Sequence, residues 1–160
     1  MNINKLIKEA HKNAIEKGFY DCPVCDGDGD GIKGSKIIGV GEVRDNFQGC
    51  DCHNCNGTGI DQNKNIPELL MLVITEISEA VEALRCEKFA DWESYNTWIK
   101  EPESYLPTNT FELYIKDTFE DEIADVFIRL ADLCGYMNID IEKHIEAKMQ
   151  YNKTIGDVHG

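Results

Sequence analysis

Apolar residues recur at helical spacing along most of this chain, and each such stretch carries its own start or stop signal. Ile3, Leu6, Ile7, Ala10, Ala14 and Ile15 share one side of a helix, and Gly18 marks its stop. Pro67, a residue favoured in the first helical turn, opens a long helix predicted to reach about Glu87. A second long helix is predicted from roughly Phe111 to Gly135. Asp140 is placed to cap a last one ending near Lys153, with Ile141, Ile145 and Met149 along one side. The pattern predicts an all-α fold, a bundle of about four helices without an internal repeat.

Two segments break the pattern. Between Asp21 and Asn65 the chain is rich in Gly, Asp and Cys, with one short β-like run, Lys36-Ile37-Ile38-Gly39-Val40. This predicts a separate small module, residues 21–65, inserted into a bundle built from residues 1–20 and 66–160. The second segment, Lys88 to Asn109, holds Trp92, Tyr95, Trp98, Pro102 and Pro107. It reads as an irregular excursion with a short helix around Asp91–Ile99.

The phase of the acidic residues changes the picture. Glu76 and Glu79 lie three apart on the first long helix, and Glu122 and Asp125 three apart on the second, so each pair shares a helix side. On a wheel advancing roughly 100° per residue, Glu76 borders an apolar arc containing Leu69, Leu70, Val73, Ile77, Ala80, Val81 and Leu84. Glu122 borders an equivalent arc containing Ile115, Phe119, Ile123, Val126, Phe127, Leu130, Leu133 and Cys134. A solvated helix face accounts for Glu82, Glu120, Asp121 and Glu142. It accounts poorly for a carboxylate at the edge of a core, which must be paired, protonated or bound to metal. Four carboxylates from two antiparallel helices suit a hard cation such as Mg²⁺.

Net charge is −14, which argues against nonspecific nucleic-acid binding because that needs Lys and Arg to neutralise phosphates. It does not exclude a nucleotide, since bound metal can supply positive charge. No stretch has the length and apolarity of a membrane span, and Met1–Gly18 lacks the apolar core of a secretory signal, so the cytoplasm is the expected location. Of the seven cysteines, four form two C-x-x-C pairs, which in such a setting point to metal rather than disulfides. Cys22-Pro-Val-Cys25-Asp-Gly-Asp-Gly and Cys52-His-Asn-Cys55-Asn-Gly-Thr-Gly repeat one motif, and two C-x-x-C pairs complete a tetrahedral Zn²⁺ site. The motif resembles the C-x-x-C-x-G-x-G repeats of DnaJ-type zinc domains, in two copies. Such a closed four-sulfur site is structural. Cys50 and His53 rank below these four as ligands, and Cys86 and Cys134 read as small core residues. Asp26, Asp28, Asp30 and Gly31 imitate the start of a calcium loop, but Ile37 stands where its closing Glu belongs.

The segments Leu70-Met-Leu-Val-Ile-Thr-Glu-Ile-Ser-Glu-Ala-Val-Glu-Ala-Leu-Arg85 and Asp121-Glu-Ile-Ala-Asp-Val-Phe-Ile-Arg-Leu-Ala-Asp132 resemble the two signatures of the MazG-like, all-α nucleoside triphosphate pyrophosphohydrolases. Lys148-Met-Gln-Tyr-Asn152 resembles the K-x-x-Y-N element that follows them, and His11, Ala14, Lys17, Gly18 and Phe19 fit the family's first helix. The resemblance implies Mg²⁺-dependent cleavage of a nucleoside triphosphate to monophosphate and pyrophosphate. It makes Glu76, Glu79, Glu122 and Asp125 the catalytic metal-binding acids and Lys148, Tyr151 and Asn152 substrate contacts, and it implies a homodimer or homotetramer. Taken alone, Lys148 reads as a solvated lysine.

Two features depart from the family. The interval between the acidic signatures is long, and its aromatic residues read as ordinary packing, with cover for a base pocket or a subunit contact as alternatives. After Asn152 the chain continues Lys-Thr-Ile155-Gly156 instead of Arg-Pro. Arg129 could replace that cation, although an ion pair with a neighbouring acid is the simpler account. A competing reading makes the cysteine module an adaptor for protein or nucleic acid, using Lys33, Lys36 and Arg44, on a non-catalytic scaffold. A di-iron carboxylate bundle ranks last, because its Glu-x-x-His motif is missing.

Overall fold

The computed structural model describes residues 2–27, 52–100 and 107–154. Among them lie six helices and no strand: α1 (Ile3–Glu16), α2 (Ile66–Arg85), α3 (Trp92–Trp98), α4 (Pro107–Tyr114), α5 (Phe119–Tyr136) and α6 (Ile141–Thr154). None is long and apolar enough to cross a membrane. The expected run at 36–40, Cys50, the calcium-like Asp28, Asp30 and Gly31, the cations Lys33, Lys36 and Arg44, Pro102, and Ile155 with Gly156 lie outside the described residues.

The single helix expected from Phe111 to Gly135 is two helices, and Pro107 to Asn109, expected in the excursion, open the first of them. The apolar pattern hides the break because Ile115 and Phe119 keep an i,i+4 spacing across it. The break is made by polar residues. Asp117 takes a left-handed φ of 58°. Thr118 is extended and caps α5, its hydroxyl accepting the Asp121 N–H at 3.4 Å and donating to Ile115 O at 2.6 Å. Asp121 reaches back and accepts the Asp117 N–H at 3.0 Å, a reciprocal capping arrangement. Glu120, Asp121 and Glu122 then fill the first turn, where negative charge complements the helix dipole.

Two compact units are present, Met1–Ala10 with Ile66–Gly160, and His11–Asn65. The change from one unit to the other falls inside α1. Within the second unit Tyr20 is buried and packs edge-on against His11 with ring centroids 4.9 Å apart. Lys64 Nζ stands 5.7 Å from the centre of the same ring.

In the first unit α2 pairs with α5, and α3 with α4. The α2–α5 pair is antiparallel. Phe119 N–H bonds Lys88 O at 2.9 Å just past the end of α2, and Arg129 meets Glu76 farther along. Glu120 adds a bond from the Ala90 N–H at 3.0 Å. The pair buries small and medium residues, Val73, Ala80, Ala83, Ala131 and Leu133. Leu70, Ile77, Val81, Leu84, Phe127 and Leu130, expected in the core, are exposed in the single chain, because only one narrow stripe of each helix meets the other. Cys86 is likewise exposed, since it lies just past the last residue of α2.

Because Thr118 both caps α5 and ties it to Ile115, Thr118→Ala is expected to lower unfolding free energy by about 1–2 kcal/mol. Urea denaturation followed by circular dichroism checks this.

Candidate functional site

The α2–α5 pairing carries the acidic residues inward. Glu76 is 7% exposed and Glu122 6% exposed, although both are carboxylates. Glu79 is exposed one turn from Glu76, and Asp125 is half-buried one turn from Glu122. One carboxylate oxygen from each of Glu76, Glu79 and Glu122 lies within 4.8 Å of the other two. Opposite corners of a Mg²⁺ octahedron with bonds of about 2.1 Å are about 4.2 Å apart, so small rotamer changes bring this trio to bonding distance. Asp125 stands outside the trio and lines the cavity beside it.

The two buried acids differ in how their charge is met. Arg129 Nε donates to Glu76 Oε1 at 2.6 Å, the ion pair that the sequence left as one of two uses for Arg129. Among the described residues no hydrogen-bond donor reaches the Glu122 carboxylate. Burial pushes its carboxyl up to about 7, and the negative charges of Glu79, Asp121, Asp125 and Glu76 add to the shift. Asp125 is also raised, first by burial and then by Asp121 and Glu76. Asp121 is raised by burial, though the Asp117 N–H it accepts opposes this. Such a cluster has more negative charge than local cations to balance it. Its donors are hard oxygens, and the chemistry that relieves it is a proton or a divalent ion.

Glu79, Glu122 and Asp125 open onto a cavity of about 590 Å³ lined also by Phe111, Glu112, Lys116, Asp117 and Asp121. A smaller hollow of about 220 Å³ shares Glu79, Asp117 and Glu122 and adds Glu82, Ala83, Cys86 and Lys88. Lys148, Tyr151 and Asn152 line neither. They are exposed on α6, where Lys148 Nζ lies 4.9 Å over the Tyr151 ring. Phe111, Lys116 and Lys88 were missed as site residues. For Phe111 and Lys116 the sequence signal was the Thr118-x-x-Asp121 capping pattern, which starts α5 late enough to free residues 111–117 as a separate wall, whereas Lys88, just past α2, carried none.

In the second unit Cys22, Cys25, Cys52 and Cys55 are all buried and offer four sulfurs within 4.8 Å of one another. Cys22 and Cys52 sulfurs are 3.8 Å apart, as are those of Cys25 and Cys55. A tetrahedron of zinc–sulfur bonds of about 2.3 Å has edges of about 3.8 Å, so the spacing fits a zinc ion. Both motifs make the same turn: Asp26 and Asn56 have φ of 51°, followed by Gly27 at 86° and Gly57 at 78°. The two turns are locked together by the Cys22 N–H to Gly59 O bond at 2.8 Å and the Asp21–Ile60 bridge. A Cβ at Gly59 would lie 2.1 Å from Gly27 O, so only glycine permits this crossing. Asn54 Nδ2 donates to Cys22 Sγ at 3.2 Å, and Gly59 N–H to Cys55 Sγ at 3.2 Å. Burial pushes the Cys22 thiol up. The bonds from Asn54 and from the Val24 and Cys25 backbone outweigh it and bring it down to about 6, which favours the thiolate a metal needs. His53 is exposed and outside the cluster.

Compared with known proteins, this chain matches no family model, no curated protein and no solved structure. The functional reading therefore rests on the chemistry of its own residues.

A pH dependence follows for the acidic site. The Glu122 carboxyl titrates near 7 when folded against 4.5 as its ordinary value. Between those values the folded chain binds a proton that the unfolded chain does not. The Glu122 contribution to stability without Mg²⁺ is therefore expected to fall as pH rises from 4.5 to 7 and to level off above, read as the difference between the native chain and Glu122→Gln with the cysteine cluster in the same state in both. Glu122→Gln should flatten that slope. Mg²⁺ titrated in below pH 7 should release protons, in an amount that shrinks as pH approaches 8. Urea melts at stepped pH and calorimetry in buffers of different ionisation enthalpy measure both effects.

Proposed function

We propose that this protein is a Mg²⁺-dependent nucleoside triphosphate pyrophosphohydrolase of the MazG-like kind, carrying a structural zinc module. The observation that carries the reading is Glu122: a residue more than nine-tenths buried, grouped with Glu76 and Glu79 within 4.8 Å, whose carboxylate opens with Glu79 onto the cavity. Burial of such a group is costly unless a cation or proton completes it. Glu76, Glu79 and Glu122 would hold Mg²⁺, which when bound would offset phosphate charge and polarise the phosphoanhydride.

The chain's own groups set up the rest. Asp125, beside the trio and half-buried, is placed to orient the attacking water and take its proton. The water oxygen bonds to phosphorus, the anhydride P–O bond breaks, and pyrophosphate leaves with that electron pair. Arg129 holds Glu76 in place from the side. Lys148, Tyr151 and Asn152, which the resemblance makes substrate contacts, reach the cavity only through another copy of the chain or a movement of α6. The exposed apolar residues of α2 and α5 support self-association as a dimer or tetramer, because stripes of that extent are seldom left to water.

Purified protein is expected to release pyrophosphate from nucleoside triphosphates only with Mg²⁺, and Glu122→Gln should reduce turnover at least a hundredfold, by about 2.7 kcal/mol or more in barrier, while circular dichroism stays unchanged. Undiminished turnover in that variant overturns the assignment. For the cysteine cluster, elemental analysis should find one zinc per chain. Cys25→Ser should lose it, and cobalt exchange into the native protein should give the absorption of a tetrahedral four-sulfur site.

A further inference from the structure

The cavity beside the acids has a wall that metal binding does not require. Phe111 lies in α4 and Lys116 in the turn after it, and both line the hollow that Glu79, Glu122 and Asp125 share. The backbone fixes their spacing. Phe111 O accepts the N–H groups of both Ile115 and Lys116 at 2.9 Å, so the backbones that carry the ring and the ammonium are held about one turn apart. Phe111 is 38% exposed, a large ring left facing a cavity otherwise rich in carboxylates. Lys116 is the one cation among the described residues lining it. Among the described residues Lys88 is the one cation of the adjoining hollow, which shares Glu79 and Glu122.

A cavity of carboxylates alone would take a bare divalent ion. A flat apolar ring and an ammonium at its rim change the ligand that fits. The ring suits the face of a planar heterocycle, because every base presents a π-face and stacking needs no particular edge. The ammonium suits a phosphate oxygen as a point charge. At about 590 Å³ the space falls within the range of small-molecule pockets, which run from about 300 to about 1,000 Å³.

The geometry points to Phe111 and Lys116 as the substrate-reading wall of this site: the Phe111 ring stacks on the base while Lys116 Nζ meets a phosphate oxygen. A nucleoside triphosphate, not inorganic polyphosphate, is then the ligand the site selects. This rests on the metal-dependent reading of the acids given above. It also explains why the interval between the two acidic helices is long, since that interval builds α4.

The test is calorimetric binding with Mg²⁺ present, using α,β-imido analogues of the four deoxynucleoside triphosphates, in which the bond to be cleaved is blocked, and inorganic tripolyphosphate. The wild-type chain should bind its preferred analogue at least about tenfold more tightly than tripolyphosphate. Phe111→Ala should remove that preference by weakening the analogue about tenfold while leaving tripolyphosphate unchanged, and Phe111→Trp should restore it. Retained tripolyphosphate binding also shows that the variant is folded. Lys116→Ala should weaken both ligands by a similar factor, with Lys116→Arg recovering much of the loss. An unchanged preference in Phe111→Ala overturns the stacking wall and leaves the metal-dependent site standing. If the wild-type chain binds neither ligand with Mg²⁺, the reading of the acids fails and this inference with it.

Discussion

The first unit depends on one electrostatic imbalance: two carboxylates are buried where α2 meets α5, and one arginine serves only one of them. Arg129 is itself partly exposed, so its pair with Glu76 is screened and cannot spread its charge to Glu122. A helix pair built only for stability would put Leu or Ala at Glu122, which is next to a stripe already carrying Val73, Ala80, Ala83 and Leu133. The retained acid is therefore better explained by something the acid binds than by packing. Perturbed, buried acids in a cleft mark functional sites more often than structural ones, and here the perturbation comes from burial together with four neighbouring carboxylates.

Everything around that imbalance serves to hold its geometry. The cap made by Thr118 and Asp121 decides where α5 begins and hence which residues its first turn presents. The bonds from Phe119 and Ala90 to the segment after α2 then set how far α5 slides along α2. Starting α5 one residue earlier or later would turn Glu122 by roughly 100° about its helix and take it out of the cluster. The polar residues that look like ordinary solvated acids in the sequence, Glu120 and Asp121, are thus the ones that fix the position of the buried acid.

Much of this was legible in the residue pattern. The phase of Glu76 and Glu122 beside apolar arcs foretold which acids point inward, because helix periodicity is local and needs no knowledge of the partner. The repeated Cys22–Gly27 and Cys52–Gly57 motif foretold the four-sulfur cluster for the same reason. What failed was everything set by partners. Ile115 and Phe119 kept the helical rhythm across a break made by Asp117 and Thr118, so two helices read as one. Leu70, Val81 and Phe127 look like core on a wheel, yet a wheel cannot say how much of an apolar arc a single neighbour covers. Phe111 and Lys116 joined the site only because α4 exists as a separate wall.

The two candidate metal centres also differ in a way that would keep their ions apart. Glu76, Glu79 and Glu122 offer hard oxygens with room for water and substrate beside them, whereas Cys22, Cys25, Cys52 and Cys55 enclose a position with soft sulfurs and no opening. Zinc at the acids would compete poorly with zinc at four thiolates, and magnesium has almost no affinity for sulfur. The cysteine cluster would therefore fill first from a mixed pool and leave the carboxylates to the abundant hard ion. That ordering follows from donor chemistry alone. Under the proposed function, it would let one small acidic chain keep a closed ion for shape and an open position for chemistry without mixing them.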